Sequence, residues 1–217
     1  MTMNVFVTGG TGYLGQALVP GLLRGGHRVA VLARPASLPR VPAGAVPVAG
    51  DALDGASFAA AIPAGATLVQ LVGTPHPNPS KAAEFEQVDL ASVRASVTAA
   101  AQANVAHFVY VSVAQPAPAM RAYVAARAAG EAAIRSAGLT ATFVRPWYVL
   151  GPGHWWPLVL APFYQIAEWI PGTRATARRL GLVTRAQMVR ALRATVEHPP
   201  ARGAVRVVDV PAISAAG

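Results

Sequence analysis

The most constraining feature of the sequence is a glycine cluster between its first apolar run and its first helical pattern. Residues 4–7 form a short apolar run, which is typical of a buried strand. The segment Thr8-Gly-Gly-Thr-Gly-Tyr-Leu-Gly15 follows at once, and residues 13–24 then have helical periodicity. A strand, a glycine turn and a helix are therefore expected in direct succession.

Three of these glycines have separate expected roles. Gly9 permits a tight turn, Gly12 lets the backbone approach a pyrophosphate, and Gly15 lets the helix pack closely on the strand. The amino end of the helix supplies free N–H groups and the positive end of its dipole. The pattern predicts a dinucleotide site, whose expected residues in the loop are Gly9, Thr11, Gly12, Tyr13, Leu14 and Gly15.

Apolar runs alternate with helical patterns along most of the chain. Strands are expected at 29–32, 46–49, 68–72, 108–111, 141–144 and 204–208, and helices at 81–103, 121–137 and 184–197. Near-continuous apolar strands joined by helices indicate a parallel sheet covered on both faces. With right-handed crossovers, this is an α/β, doubly wound Rossmann fold, in which Pro47 favours an edge position for its strand.

The chain is expected to be one domain, residues 1–217. Its core is expected over about 1–149 and 204–210, with a small cap over about 150–203 at the open end of the sheet. Aromatic residues crowd into 147–169, which predicts an apolar or aromatic small-molecule substrate. The alternative is that large side chains simply fill the core of the cap.

Composition excludes several classes of protein. With 53% hydrophobic and 12% charged residues, the chain has too much apolar area to be disordered. It has no cysteine, which excludes disulfides and thiolate chemistry, and no His, Asp or Glu group has metal-ligand spacing, so no metal is expected. We find neither a secretory signal nor an apolar run long enough to cross a membrane, and we expect a cytoplasmic protein.

The positive charge is concentrated near the carboxyl terminus. Residues 174–206 contain eight arginines and one acid, Glu197, and so contribute +7 of the net charge of +9. No interleaved aromatic residues or nucleic-acid motif accompany this stretch, so we interpret it as a solvated face and expect no nucleic-acid partner. Contact with a membrane surface is a less favoured alternative.

Arg34 follows the second expected strand, nineteen residues after Gly15. An acid near this position would bind the ribose 2′-hydroxyl of NAD, whereas an arginine suits the 2′-phosphate of NADP. The sequence therefore favours NADP(H) over NAD(H), with Arg28 and Arg40 as possible assistants. The alternative is that Arg34 is one more solvated arginine.

Further motifs add to the glycine loop. They are Gly50-Asp51, Phe108-Val-Tyr-Val-Ser112, Tyr123-Val-Ala-Ala-Arg127 and Arg145-Pro-Trp-Tyr-Val-Leu-Gly-Pro-Gly153. Together they resemble the short-chain dehydrogenase/reductase superfamily, in its atypical NAD(P)-binding members with an NmrA-like or epimerase-like core. The resemblance implies adenine contacts at Asp51, adenosine ribose contacts around residue 72 and nicotinamide contacts after Arg145. The full set that it implies is Asp51, Ala52, Leu71, Val72, Gly73, Val111, Tyr123, Arg127, Pro146, Trp147, Tyr148 and Val149.

The same resemblance implies a catalytic cluster of Tyr123, Arg127 and Ser112. A phenol is a weak base at neutral pH, and a cation one helical turn away stabilises its phenolate. Tyr123 and Arg127 have the required i, i+4 spacing, but the usual lysine is an arginine here, which cannot give up its proton. Ser112 would orient the substrate oxygen. The alternatives are a structural Ser112 and an ordinary half-buried Tyr123.

These observations predict an NADP(H)-dependent oxidoreductase that reduces a carbonyl or quinone-like substrate. One alternative is a non-catalytic NADP(H)-binding sensor or partner-binding module. A second is a sugar-nucleotide epimerase or dehydratase, which the short cap argues against. A homodimer through helices 81–103 and 121–137 is possible, as in many relatives.

Overall fold

The computed structural model describes residues 2–117, 119–152 and 180–216. Seven parallel strands form the main sheet: β1 (Asn4–Thr8), β2 (Arg28–Ala33), β3 (Val46–Ala49), β4 (Thr67–Gln70), β5 (His107–Val111), β6 (Ala141–Val144) and β9 (Val205–Val208). A second, two-stranded parallel sheet pairs β7 (Tyr148–Leu150) with β8 (Leu182–Thr184). The strand order β3-β2-β1-β4-β5-β6-β9 reverses direction between β1 and β4. This confirms the predicted doubly wound Rossmann fold, and the Pro47 strand lies at an edge as expected.

Helices cover both faces of this sheet. They are α1 (Gly15–Arg24), α2 (Ala82–Glu84), α3 (Ala91–Gln102), α4 (Arg121–Ser136), α5 (Arg185–Glu197) and α6 (Val210–Ala215). The single helix predicted over 81–103 is continuous but not uniform, because a π-helical turn at Phe85–Leu90 separates α2 from α3. A π-helical turn widens the helix and rotates the side chains that follow it, so 3.6-residue periodicity does not reveal it.

The core has two layers, one on each face of the sheet. Val5 and Val7 of β1 point into the layer built from α1, α5 and α6, whereas Phe6 points into the layer of α3 and α4. This alternation follows from the two-residue period of a strand.

Helix α5 packs against α1 through buried residues such as Met188 and Leu192. Within the expected cap over 150–203, helix α5 therefore belongs to the core layer. Residues 153–179 of the expected cap lie outside the described residues, together with its three tryptophans. In the ranges that the structure describes, no helix is long and apolar enough to cross a membrane.

The burial of His107 in this packing makes the stability of the fold depend on pH. It is buried at the start of β5, with Nε2 2.9 Å from Thr142 Oγ1 on β6. Burial, helped by the charge of Arg206, lowers the pKa of His107 from 6.5 to about 4. The unfolded chain thus takes up a proton between these values while the folded protein does not, so the stability is complete above pH 6.5 and declines towards pH 4.

We expect His107 to account for a loss of about 3 kcal/mol in the free energy of unfolding between pH 7 and pH 4. Urea titrations at both pH values would measure this loss. In His107→Gln, which retains a polar group but does not titrate, the loss should be smaller by that amount. An equal loss in both proteins would contradict the assignment.

Candidate functional site

The glycine loop lies at the point where the strand order reverses, between the carboxyl ends of β1 and β4. Gly9 has a φ of +74°, and a Cβ there would lie 2.9 Å from the carbonyl carbon of Leu71 and from the nitrogen of Val72. The turn is therefore accessible only to glycine, and it places the loop directly against the segment that follows β4. Two segments expected to bind the same dinucleotide are adjacent.

Gly12 and Gly15 differ in what surrounds them. A Cβ on Gly15 would overlap the backbone of Gly10, so this glycine is needed for close packing of α1 on the loop. A Cβ on Gly12 would meet only the carbonyl oxygen of Gly9, at 3.2 Å, and Gly12 is exposed. No side chain caps the amino end of α1. Gly12 thus borders open space at an uncapped helix terminus, where a phosphate would be bound.

The candidate adenosine end lies along the neighbouring strands. Arg34 is exposed just after β2, and its side chain forms no ion pair with the described residues. Asp51, also exposed, follows β3 and accepts a hydrogen bond from the Leu53 N–H at 3.0 Å through Oδ1. Its other carboxylate oxygen has no such partner among the described residues. Ala52 beside it is half-buried.

The prediction that Arg28 assists in binding the 2′-phosphate of NADP is wrong. Arg28 begins β2 and Arg34 follows its last residue, so the strand separates them by about 20 Å. Arg28 therefore lies at the opposite edge of the sheet from the glycine loop. Arg40 remains on the correct side, because the Gln16 side chain of α1 donates a hydrogen bond to its carbonyl oxygen.

Arg127 is not an exposed cation but one member of a buried ion pair. Its Nη2 lies 2.7 Å from Oδ1 of Asp89 in the π-helical turn, and both side chains are almost fully buried. Its Nη1 donates to the carbonyl oxygen of Val111 at 3.0 Å, and a Cβ on Gly73 would collide with Nη2. The guanidinium thus joins α4 to the end of β5 and to the loop after β4.

The other carboxylate oxygen of Asp89 holds that same loop. Oδ2 accepts hydrogen bonds from the backbone N–H of Thr74 at 2.9 Å and from its hydroxyl at 2.5 Å. The Ser92 hydroxyl donates to the Asp89 carbonyl oxygen and accepts from Gln70, which also bonds Thr8 at the end of β1. A continuous buried polar chain therefore runs from the base of the glycine loop to α4. Sequence reasoning missed Asp89, because Glu84 and Glu86 lie close to it in the sequence and no local signal distinguishes it from them.

Tyr123 contacts Arg127 directly, whereas Ser112 follows a residue whose backbone Arg127 binds. The Tyr123 ring is half-buried, makes an edge contact with Phe85, and has the Arg127 guanidinium carbon 5.1 Å from its centroid. Ser112 follows Val111, whose carbonyl oxygen Arg127 binds, and its Oγ is buried without a hydrogen-bond partner in the described part of the chain. The Arg127 guanidinium thus contacts the Tyr123 ring and holds the backbone next to Ser112.

Burial and the neighbouring side chains shift the pKa of the Arg127 guanidinium in opposite directions. Burial alone lowers the pKa of Arg127, but Tyr123, Tyr110 and Asp89 together raise it above its ordinary value. Burial raises the pKa of Tyr110 to about 12, although Arg127 partly opposes this. Arg127 therefore stays charged and Tyr110 stays neutral at physiological pH.

The segment expected to flank the nicotinamide leaves the sheet after β6. The carbonyl oxygen of Pro146 accepts a hydrogen bond from Ala114 at 2.9 Å, and Trp147 and Tyr148 make an edge contact at 5.5 Å. Val149 lies in β7 and is half-buried. The contacts of all these residues with a cofactor remain predictions. In the described ranges no three His, Asp or Glu side chains are grouped to hold a metal ion.

Known protein families and solved structures agree with this geometry. Residues 9–151 match the model of an NAD(P)H-binding family, and the chain belongs to that family. A search of curated proteins finds no match. The fold and the family confirm the resemblance to the epimerase-like, atypical short-chain dehydrogenase/reductases.

Solved structures share the fold at low identity. A short-chain dehydrogenase/reductase superfamily protein from Agrobacterium tumefaciens with bound NAD is 18% identical, with a TM-score of 0.67 over 94% of this chain and 76% of that one. A nucleoside-diphosphate-sugar epimerase from Staphylococcus aureus is 19% identical, with a TM-score of 0.69 over 95% and 71%. UDP-glucuronic acid 4-epimerase from Bacillus cereus in complex with NAD is 17% identical, with a TM-score of 0.67 over 95% and 77%.

Because the surroundings of Gly12 and Gly15 differ, substitutions at these two positions can distinguish phosphate binding from packing. We expect Gly12→Ala to fold with nearly unchanged Tm but to bind NADPH at least tenfold more weakly, because its Cβ points towards the open ligand side. Gly15→Ala should lose stability instead, because its Cβ overlaps Gly10. Thermal melts and NADPH fluorescence titrations measure both. Full affinity in Gly12→Ala would mean that the loop serves only packing.

The Asp89–Arg127 pair can be tested by a double-mutant cycle. Because each single change leaves a buried group without its partner, Asp89→Asn and Arg127→Met should each cost about 3–5 kcal/mol in the free energy of unfolding. The double variant should cost less than the sum by about 1–3 kcal/mol. Denaturant unfolding of the four proteins gives the coupling, and strict additivity would exclude a direct interaction.

Proposed function

We propose that the protein binds NADP(H) across the carboxyl edge of its sheet and reduces a carbonyl or quinone-like small molecule. The observation that carries this proposal is the buried hydroxyl of Ser112, which has no hydrogen-bond partner among the described residues and follows the residue whose carbonyl oxygen Arg127 binds. The same guanidinium contacts the ring of Tyr123. A buried hydroxyl without a hydrogen bond costs about 1–3 kcal/mol, which a bound substrate oxygen would recover. The glycine loop and the match to the NAD(P)H-binding family support the cofactor.

The residues around Arg127 have complementary roles in such a reaction. When bound, the nicotinamide would supply the hydride. The Tyr123 hydroxyl would donate a proton to the substrate oxygen, and the Ser112 hydroxyl would donate a hydrogen bond to the same atom. Arg127 would stabilise the resulting phenolate through the face of the Tyr123 ring, since its ion pair with Asp89 fixes it there. Arg127 itself keeps its proton throughout.

The preference for NADP(H) rests on Arg34. Two of the similar structures have NAD bound, so they support a nicotinamide cofactor without favouring the phosphorylated form. Arg34 adds an exposed cation after β2, and no acid of the described residues forms an ion pair with it. A 2′-phosphate would bind here by a charge-assisted hydrogen bond.

Arg34→Glu should therefore weaken NADPH binding at least tenfold and leave NADH binding equal or stronger, because it replaces the attraction for a 2′-phosphate with repulsion. Arg28→Glu is the matched control: it makes the same charge change at the far end of the same strand. Fluorescence titrations give the Kd values. An unaltered ratio of NADPH to NADH affinity in Arg34→Glu would overturn the preference.

For catalysis, we expect Tyr123→Phe to lower kcat at least a hundredfold and Ser112→Ala about tenfold, with the Kd for NADPH nearly unchanged. The proton donor is lost in one variant and the orienting hydrogen bond in the other. NADPH oxidation with a panel of quinones and aromatic ketones supplies the rates. Undiminished turnover in Tyr123→Phe would remove Tyr123 from the mechanism.

A second candidate is a non-catalytic NADP(H)-binding module. The Asp89–Arg127 pair favours it, because a nearby carboxylate offsets the positive charge that would otherwise activate the phenol. NADPH binding without turnover of any substrate in that panel would support this candidate over the reductase.

A further inference from the structure

Arg185 differs from three other arginines of its basic stretch. Arg190 and Arg206 donate hydrogen bonds to the backbone carbonyl oxygens of Ala216 and His198, and Arg193 pairs with Glu197. These contacts assign structural roles to three of the charges. The Arg185 side chain instead lies over the ring of Tyr13, with its guanidinium carbon 5.0 Å from the ring centroid.

This contact places a cation beside the glycine loop. Tyr13 is part of the loop, two residues before α1 begins, and its hydroxyl abuts Gly151 at the end of β7. Arg185 is the first residue of α5, and it is half-buried. Two strands of the small sheet and the amino ends of two helices therefore meet around one aromatic ring.

The charges at this junction have one sign. The amino ends of α1 and α5 each carry the positive end of a helix dipole, and Arg185 adds a full positive charge in the first turn of α5, where a cation is unfavourable. Neither helix has an acid in its first turn, and no acidic side chain of the described residues forms an ion pair with Arg185. A bound anion would relieve this arrangement.

We propose that Arg185 binds the pyrophosphate of the dinucleotide, held in position by its stacking on Tyr13. The inference rests on the proposed cofactor. In this arrangement the pyrophosphate is bound by the backbone N–H groups of the glycine loop and also by the side-chain cation of Arg185, which lies far from the loop in the sequence. Because NADH and NADPH share the pyrophosphate, Arg185 contributes affinity for both, whereas Arg34 distinguishes between them.

Two fragments of the cofactor separate these roles. ADP-ribose contains the pyrophosphate but no 2′-phosphate, and 2′-AMP contains the 2′-phosphate but no pyrophosphate. Arg185→Ala should weaken NADPH, NADH and ADP-ribose about tenfold or more and leave 2′-AMP unchanged, because a hydrogen bond to a charged group is lost. Arg34→Glu should give the opposite pattern for the two fragments. Isothermal titration, or competition against NADPH fluorescence, gives the affinities.

Two further variants test the physical basis. Arg190→Ala removes the same charge from the exposed part of α5 and should leave every affinity within twofold. Arg185→Lys should recover part of the loss, since it keeps the charge but not the planar stacking. Thermal melts verify that each variant is folded.

The outcomes are distinguishable. If the wild type binds NADPH and Arg185→Ala changes the ADP-ribose affinity less than twofold, the assignment of Arg185 is overturned while the proposed function stands. A parallel loss of 2′-AMP affinity would show general damage and would also overturn it. Failure of the wild type to bind either dinucleotide would overturn the proposed function, and this inference with it.

Discussion

The buried ion pair of Asp89 and Arg127 is the interaction on which the candidate site depends. It joins a π-helical turn, helix α4, the end of β5 and the loop after β4 at one point. Removing two charges from water is costly, and such pairs often add little net stability compared with well-packed apolar residues. Their contribution is geometric, since a guanidinium with fixed partners leaves its neighbours few alternative positions. The positions of Tyr123 and Ser112 follow from this arrangement.

Most of the fold could be predicted because the apolar runs and the glycine loop are local signals. Each predicted strand of the main sheet exists within one or two residues, and Pro47 correctly indicated an edge strand. Local signals of this kind do not show how far apart in space two residues at opposite ends of one strand lie. The prediction for Arg28 failed for this reason, since it treated neighbours in sequence as neighbours in space when a whole strand separates Arg28 from the site.

The candidate site was predictable only in part. Spacing placed Tyr123 and Arg127 on one helix face, and both lie there, but the sequence could not show that Arg127 is buried and paired. That depends on Asp89, 38 residues away on another helix, and on a π-helical turn that periodicity does not detect. The contact of Arg185 with Tyr13 was equally inaccessible, because 172 residues separate the two side chains along the chain. Contacts between polar groups that are far apart in the sequence therefore determine the surroundings of the family's motif residues in this protein.

The packing of α5 on α1 has a consequence for the order in which the molecule assembles. Helix α1, which follows the glycine loop, is made well before the residues that cover it, such as Met188 and Leu192, which come some 170 residues later in the sequence. One face of the sheet thus stays exposed while those residues are made, which takes roughly 10–35 s. A nascent chain of this kind would present an apolar surface to chaperones until α5 has been made and has packed on α1.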